Sequence, residues 1–261
     1  MTEPNQDGER RGSLLADLAT VLAFLSVLPL PPAWRADPRR PLAQAARAFP
    51  LAGALLGLLA GLPLAALHNL GLAPSAAALL AVLTLVLLSG GLHEDGLADS
   101  ADALAGGTPT ARLAIMRDSR IGTFGALAVL FSVGLRWAAL AALVPSGAVL
   151  AAAIVAGALS RSVPVVLLFW LPPARVDGLG QAAGRPAASG LLAALGLAGM
   201  FTLLLVGVLA GLAALAAAGI ATLLVGRLAD RGLGGQTGDI LGAGQQVAEC
   251  LVLLTLAVVL V

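Results

Sequence analysis

The chain has 261 residues, 59% of them hydrophobic and 11% charged, with a formal net charge of +1. Soluble domains carry about 25% charged residues, so this chain lacks the polar groups to cover a soluble surface, and it is far too apolar for a disordered one. Near-neutral charge excludes a global basic field for nucleic acid. The single cysteine, Cys250, excludes an internal disulfide and a cysteine-built zinc site. What remains is a polytopic membrane protein.

Residues 1–12 read as a polar tail, and residues 13–261 as a single integral-membrane domain. Residues 13–30 form a candidate first span, weakened by Asp17 and by Pro29, Pro31 and Pro32. Residues 48–92 hold no Asp, Glu, Arg or Lys. A bilayer core about 30 Å thick needs about 20 helical residues, so this stretch predicts two crossings, turning at His68-Asn69-Leu70-Gly71. Residues 123–171 predict two more, broken at Pro145-Ser146-Gly147 and interrupted by Arg136 and Arg161. Residues 186–226 predict two short crossings, and residues 240–261 the last. The expectation is an all-α transmembrane bundle of seven or eight spans, since backbone groups cannot go unpaired in lipid and no barrel alternation is present.

The charged connections are residues 34–47, 93–120, 172–185 and 227–239. Two apolar passes separate each from the next, so all four are expected on one side of the membrane. All fifteen basic residues are arginine and every one of these connections carries some; the bias of basic residues toward the cytoplasm places that side inside. The repeated spacing of Gly53, Gly57 and Gly61 predicts close helix packing and no chemistry.

Five of fourteen acidic residues fall between Glu94 and Asp118. Asp95, Asp99 and Asp102, spaced four and three apart, stack on one face of a helix. Their mutual repulsion is relieved by a divalent cation, and hard cations such as Mg²⁺ take carboxylate oxygens while keeping positions open for phosphate. Further on, Arg117 and Arg120 flank Asp118 and Ser119; guanidinium forks match phosphate oxygens, and the competing reading is a basic anchor before the next span. Asp118 is read as a further metal ligand or as orienting the arginines. His93 is a general base, a metal ligand or a helix-entry residue. The glycines around Thr237 and Asp239 suggest a bent backbone near a ligand. Arg161 and Glu249, both inside spans, are candidates for a buried pair.

The block Gly90-Gly91-Leu92-His93-Glu94-Asp95-Gly96-Leu97-Ala98-Asp99, with Asp102, resembles the central motif of the cobalamin synthase family, the adenosylcobinamide-GDP ribazoletransferases. Four other blocks, in the family's order, resemble it too: residues 24–31, 49–53, 115–122 and 237–243. The resemblance implies an enzyme that joins adenosylcobinamide-GDP to α-ribazole or its 5′-phosphate, with Mg²⁺ as cofactor, GMP released and adenosylcobalamin or its 5′-phosphate formed. It implies a bacterial inner-membrane protein, active on the cytoplasmic side, for which an oligomer is allowed and nucleic acid is not a partner. Read onto this chain, Asp95, Asp99 and Asp102 hold metal. Asp118 and Asp239 complete the shell or take the nucleophile's proton, with His93 as the alternative base. Arg117 and Arg120, with Ser119 and Thr237, bind substrate. Glu94 and Gln236 carry no essential role in this reading. The alternatives are a CDP-alcohol phosphotransferase of phospholipid synthesis, whose Asp-Gly signature the motif also resembles, and a cation-coupled transporter.

Overall fold

The computed structural model describes residues 13–31 and 41–261; the polar tail and the first half of the residue 34–47 connection lie outside the described residues. The described chain is helical, and its β pairing is one isolated bridge between Pro173 and Gln236. The all-α expectation stands.

The first helix, α1 (Leu14–Leu25), starts where the Ser13 side chain accepts from Ala16 N at 3.1 Å. Its 12 residues extend about 18 Å, too short to cross. One end carries Asp17, buried against Arg47 at 2.6 Å. Just beyond the other end, Val27 N donates to Leu88 O. By Leu42–Ala48, a 3₁₀ segment packed on α1, the chain is back at the level of Arg47. Residues 13–30 thus hold one apolar helix shorter than a bilayer crossing.

Next come α2 (Phe49–Asn69) and α3 (Pro74–Ser89), joined at the foreseen turn. Gly90 and Gly91 follow with φ of 62° and 72°, a left-handed conformation that suits residues without a Cβ. The chain bends by 89° there and resumes as α4 (Leu92–Asp102). The acidic segment is thus a helix bent back into the bundle, as in a broken span or a re-entrant loop, and not the plain connection that the sequence suggested. Its start sits among Arg136 and Gln246, deep in the bundle, and its end meets Gly122 at the mouth of the next span.

After α5 (Pro109–Ile115), α6 (Thr123–Leu143) and α7 (Val149–Trp170) form the expected pair of crossings. A short α8 (Leu179–Ala183) leads to α9 (Ala188–Leu233). Gly207, at φ 77° and ψ 174°, breaks α9. A Cβ on Gly211 would lie 3.4 Å from the Leu203 Cα, whereas eight residues of straight helix span about 12 Å. The chain reverses at Gly207, and residues 188–206 and 208–233 are separate crossings. The last helix is α10 (Gly238–Leu260). Among the described residues, five helices are long and apolar enough to cross, the bent α3–α4 pair adds one more where it counts as a single span, and the reversal in α9 divides that helix into two crossings.

Gly53 and Gly57 on α2 face Gly157 and Ala153 on α7 so closely that an added Cβ would overlap backbone atoms. Small residues let these helices touch main chain to main chain, where lipid offers no hydrophobic drive for association. The charged connections gather at one end. Gly190 packs on Ala46, Gly232 on the Arg112 side chain, Gly235 on Pro172, and Gly184 on Pro41.

Candidate functional site

Two helices bring carboxylates to that end. Asp95 and Asp99 lie on α4, one turn apart. Asp239 begins α10, where the Thr237 hydroxyl accepts from Ile240 N at 3.3 Å and donates to Asp239 Oδ2 at 3.2 Å. A Cβ on Gly96 would lie 3.1 Å from the Asp239 Cα, so the missing side chain allows α4 to lie against α10. The charges of Asp95, Asp239 and Asp102 all act on Asp99. Asp95 and Asp239, with His93, line one cavity of about 100 Å³ between α1, α2, α4, α7, α8 and α10. The rest of its wall is mainly apolar, including Phe24, Leu25, Phe49 and Leu168.

Asp102 stands apart. Its two oxygens accept from the amides of Gly122 and Gly125 at 2.7 and 2.8 Å, capping the first turn of α6. Thus it couples the acidic helix to the connection that carries Arg117 and Arg120.

Both arginines are held by acids. Arg117 Nη2 reaches both oxygens of Asp177 at 2.8 Å, tying this connection to residues 172–187. Arg120 forks onto Asp118, with Nη2 at 2.6 Å from Oδ2. The hydrogen bonds and charge of Arg120 hold the Asp118 carboxyl down at about 2. Ser119 is exposed beside them. Arg175, from the same connection as Asp177, approaches Asp239 Oδ2 at 3.5 Å.

Below the carboxylates lies a second polar layer, inside the bundle. Arg136 of α6 binds Glu94 at 2.9 Å and approaches Glu249 of α10 at 3.5 Å. Arg161 of α7 pairs with Glu249, as the sequence suggested. Gln246 donates to Glu94 at 3.0 Å and accepts from Ser132 at 2.6 Å. Two arginines balance two glutamates, which makes burial of all four tolerable. His93 is 3% exposed, and among the described residues its Nδ1 meets no hydrogen-bond partner.

The sequence reading gave no role to Glu94, Gln236, Arg175 or Asp177. Glu94 holds Arg136, and Gln236 donates to Gly180 O at 3.2 Å from a buried position. The one available signal was Arg136 itself, a charge inside an apolar stretch whose partner had to come from elsewhere in the chain.

Three carboxylates, together with the Arg175 guanidinium, act on Asp99, and carboxylate oxygens suit a hard divalent cation. Among the described residues, no three His, Cys, Asp or Glu side chains stand close enough to form a ready cage.

Fold and site together define a polytopic helical membrane protein with a carboxylate cluster at its arginine-rich end. A family model described as cobalamin-5-phosphate synthase matches residues 17–257, and the chain belongs to that family. It is 48% identical to the adenosylcobinamide-GDP ribazoletransferase of Azorhizobium caulinodans, covering 92% of this chain and 94% of the relative. It is 42% identical to that of Bradyrhizobium diazoefficiens, covering 94% of each, and 44% identical to that of Brucella anthropi, covering 96% and 100%. No solved structure matches.

Proposed function

We propose that the chain transfers the adenosylcobinamide phosphate moiety from adenosylcobinamide-GDP to α-ribazole or its 5′-phosphate, releasing GMP and forming adenosylcobalamin or its 5′-phosphate. Family membership across residues 17–257 carries this reading, together with carboxylates from α4 and α10 in one cavity.

The ribazole 3′-hydroxyl attacks the phosphorus that bears the cobinamide side chain. A new P–O bond forms as the bond to the GMP phosphate oxygen breaks. The hydroxyl proton passes to Asp239, which shares the cavity with Asp95. Asp118 is a poor base because Arg120 keeps it ionised far below neutral pH. Asp95, Asp99 and Asp239 would hold Mg²⁺, which supplies charge neutralisation for the diphosphate. Asp102 sets the start of α6, and so the position of Arg117 and Arg120. These two would release Asp177 and Asp118 to take phosphate oxygens bidentately. The arginines on the charged connections support an active site on the cytoplasmic side of a bacterial inner membrane.

The test is GMP release by purified protein in liposomes, from adenosylcobinamide-GDP and α-ribazole, with Mg²⁺ and then with chelator. Release that stops with chelator and returns with Mg²⁺ supports the whole reading. Release unaffected by chelator removes the metal. No GMP from this donor, and CMP from a CDP-alcohol donor instead, overturns the reaction.

A further inference from the structure

We infer that Arg175 is a catalytic residue of this transfer, its guanidinium binding the phosphate that leaves as GMP. This deepens the reaction proposed above and rests on it. The donor's diphosphate is an anion, and the carboxylates of Asp95, Asp99 and Asp239 repel it. As the bond to phosphorus breaks, its electron pair stays on the bridging oxygen, and negative charge gathers on the GMP phosphate. A cation fixed beside that oxygen stabilises the transition state more than the ground state. Among the described residues, the ion pairs place one arginine on a carboxylate of the cavity: Arg175 Nη2 lies 3.5 Å from Asp239 Oδ2. Its charge also acts on Asp99.

Main-chain pairing holds Arg175 in this place. Gln236 N donates to Pro172 O and Ala174 N donates to Gln236 O, each at 2.8 Å. This bridge ties the connection that carries Arg175 to the turn from which Thr237 and Asp239 begin α10. A Cβ on Gly235 would lie 2.2 Å from Pro172 O, so the two segments touch main chain to main chain. Arg175 is the next residue after that fixed point. Its contact with Asp239 is long for a hydrogen bond, whereas Arg117 and Arg120 grip their acids at 2.8 and 2.6 Å with exposed side chains. Those two must break a forked pair before they meet phosphate, and they stand in water, which screens them. The Arg175 side chain is 18% exposed: sheltered enough for its charge to act strongly, yet open on part of its surface. A guanidinium donates hydrogen bonds and keeps its protons. GMP therefore leaves as the phosphate anion, and the hydroxyl proton still passes to Asp239.

The experiment is GMP release by the full chain in liposomes, with binding measured alongside. Arg175→Ala should lower kcat about 100-fold or more and leave the KM for α-ribazole within about twofold. Added methylguanidine should raise the rate of this variant about tenfold, and Arg175→Lys, a point charge without the fork, should recover only part of the loss. Calorimetric titration should show GMP binding weakened about tenfold or more in Arg175→Ala, with guanosine, which carries no phosphate, bound within about twofold of wild type. Where Arg175→Ala fails to fold, Arg175→Gln, which keeps a polar stem and removes the charge, carries the same tests. Wild-type turnover together with a variant rate within about twofold overturns the assignment and leaves the reaction standing. A slowed variant that methylguanidine does not rescue, and that binds GMP as the wild type does, also overturns it, because Arg175 then only braces the start of α10. Absence of wild-type GMP release, with GMP still bound through Arg175, sinks the reaction and keeps the phosphate site.

Discussion

Arg136 reaches from α6 to set its Nη2 2.9 Å from Glu94 Oε1, one residue before Asp95 on α4. The acidic helix is therefore anchored by a charge pair inside the bundle, while its carboxylates face outward from the same turns. Removing one partner of a buried pair leaves the other uncompensated, at a cost of about 3–5 kcal/mol. Arg136→Ala should lower the denaturation midpoint in detergent sharply. The double variant Glu94→Gln with Arg136→Met should recover much of that loss, because neither charge is then stranded. A double variant no more stable than Arg136→Ala would show that the pair does not act as a unit.

Asp95→Asn, Asp99→Asn and Asp239→Asn should each reduce GMP release by about 100-fold or more, with insertion and thermal midpoint nearly unchanged. Asp102→Asn should differ. It keeps one acceptor for the α6 cap, so its expected effect is about 1 kcal/mol on stability and a partial loss of rate. Asp102→Ala should be worse in both readouts. Equal kinetics for Asp95→Asn and Asp102→Asn would return Asp102 to the metal set.

The Asp118 carboxyl is depressed from its ordinary value to about 2 by Arg120. A depressed carboxylate contributes stability above its unfolded value near 3.9 and loses it as pH falls through about 2. It stays ionised throughout the neutral range. Asp118→Asn should accordingly leave the shape of the pH–rate profile between about pH 5 and 9 unchanged. A limb of the profile that vanishes in this variant would make Asp118 the titrating base.

Side-chain volume at the α2–α7 contact should be intolerable. Gly53→Val places carbon against the Gly157 carbonyl, and the two backbones must separate. Overpacking costs about 1–3 kcal/mol even in softer settings. Chromatography in detergent should show little folded Gly53→Val, whereas Gly134→Val, with nothing near its added Cβ, should behave as wild type.

Topology gives the last prediction. In a Cys250→Ala background, single cysteines at Ala105 and Ala187 should label from one side of the membrane, and cysteines at Ser146 and Val208 from the other. The reversal at Gly207 requires this alternation, whereas one continuous helix through α9 would put Ala187 and Val208 in a different relation. Gly207→Ala should cost about 1–3 kcal/mol, the penalty of a Cβ at a positive φ with extended ψ, a region open essentially to glycine alone.

Several of these features were readable along the chain, and others were not. The turn at residues 68–71, the break at Pro145-Ser146-Gly147 and the pairing of Arg161 with Glu249 follow from apolar run lengths and from the need of a buried charge for a partner. The place of the segment from His93 to Asp102 did not follow. A run rich in acid looks like a solvated connection, yet Gly90 and Gly91 turn it back into the bundle, packed along α6 and α10. The fate of Asp102 was equally hidden, because an amide twenty residues away is local only after folding. The same holds for Asp177, which lies 60 residues beyond Arg117 in sequence.

The class of protein was settled by composition and periodicity alone: a chain this apolar has no folded state in water, and uncharged runs of bilayer length have to be helices. Residue types likewise settled which chemistry was available, since carboxylates and guanidiniums are all that the charged segments supply. Which carboxylates face one another, which arginines are already engaged, and that the short α1 and a bend after α3 close a cavity beside His93 were decided only by tertiary packing. Hydrophobic patterning acts over a few turns, whereas these relationships depend on where glycines let distant helices meet and on pairing between charges that sequence holds far apart.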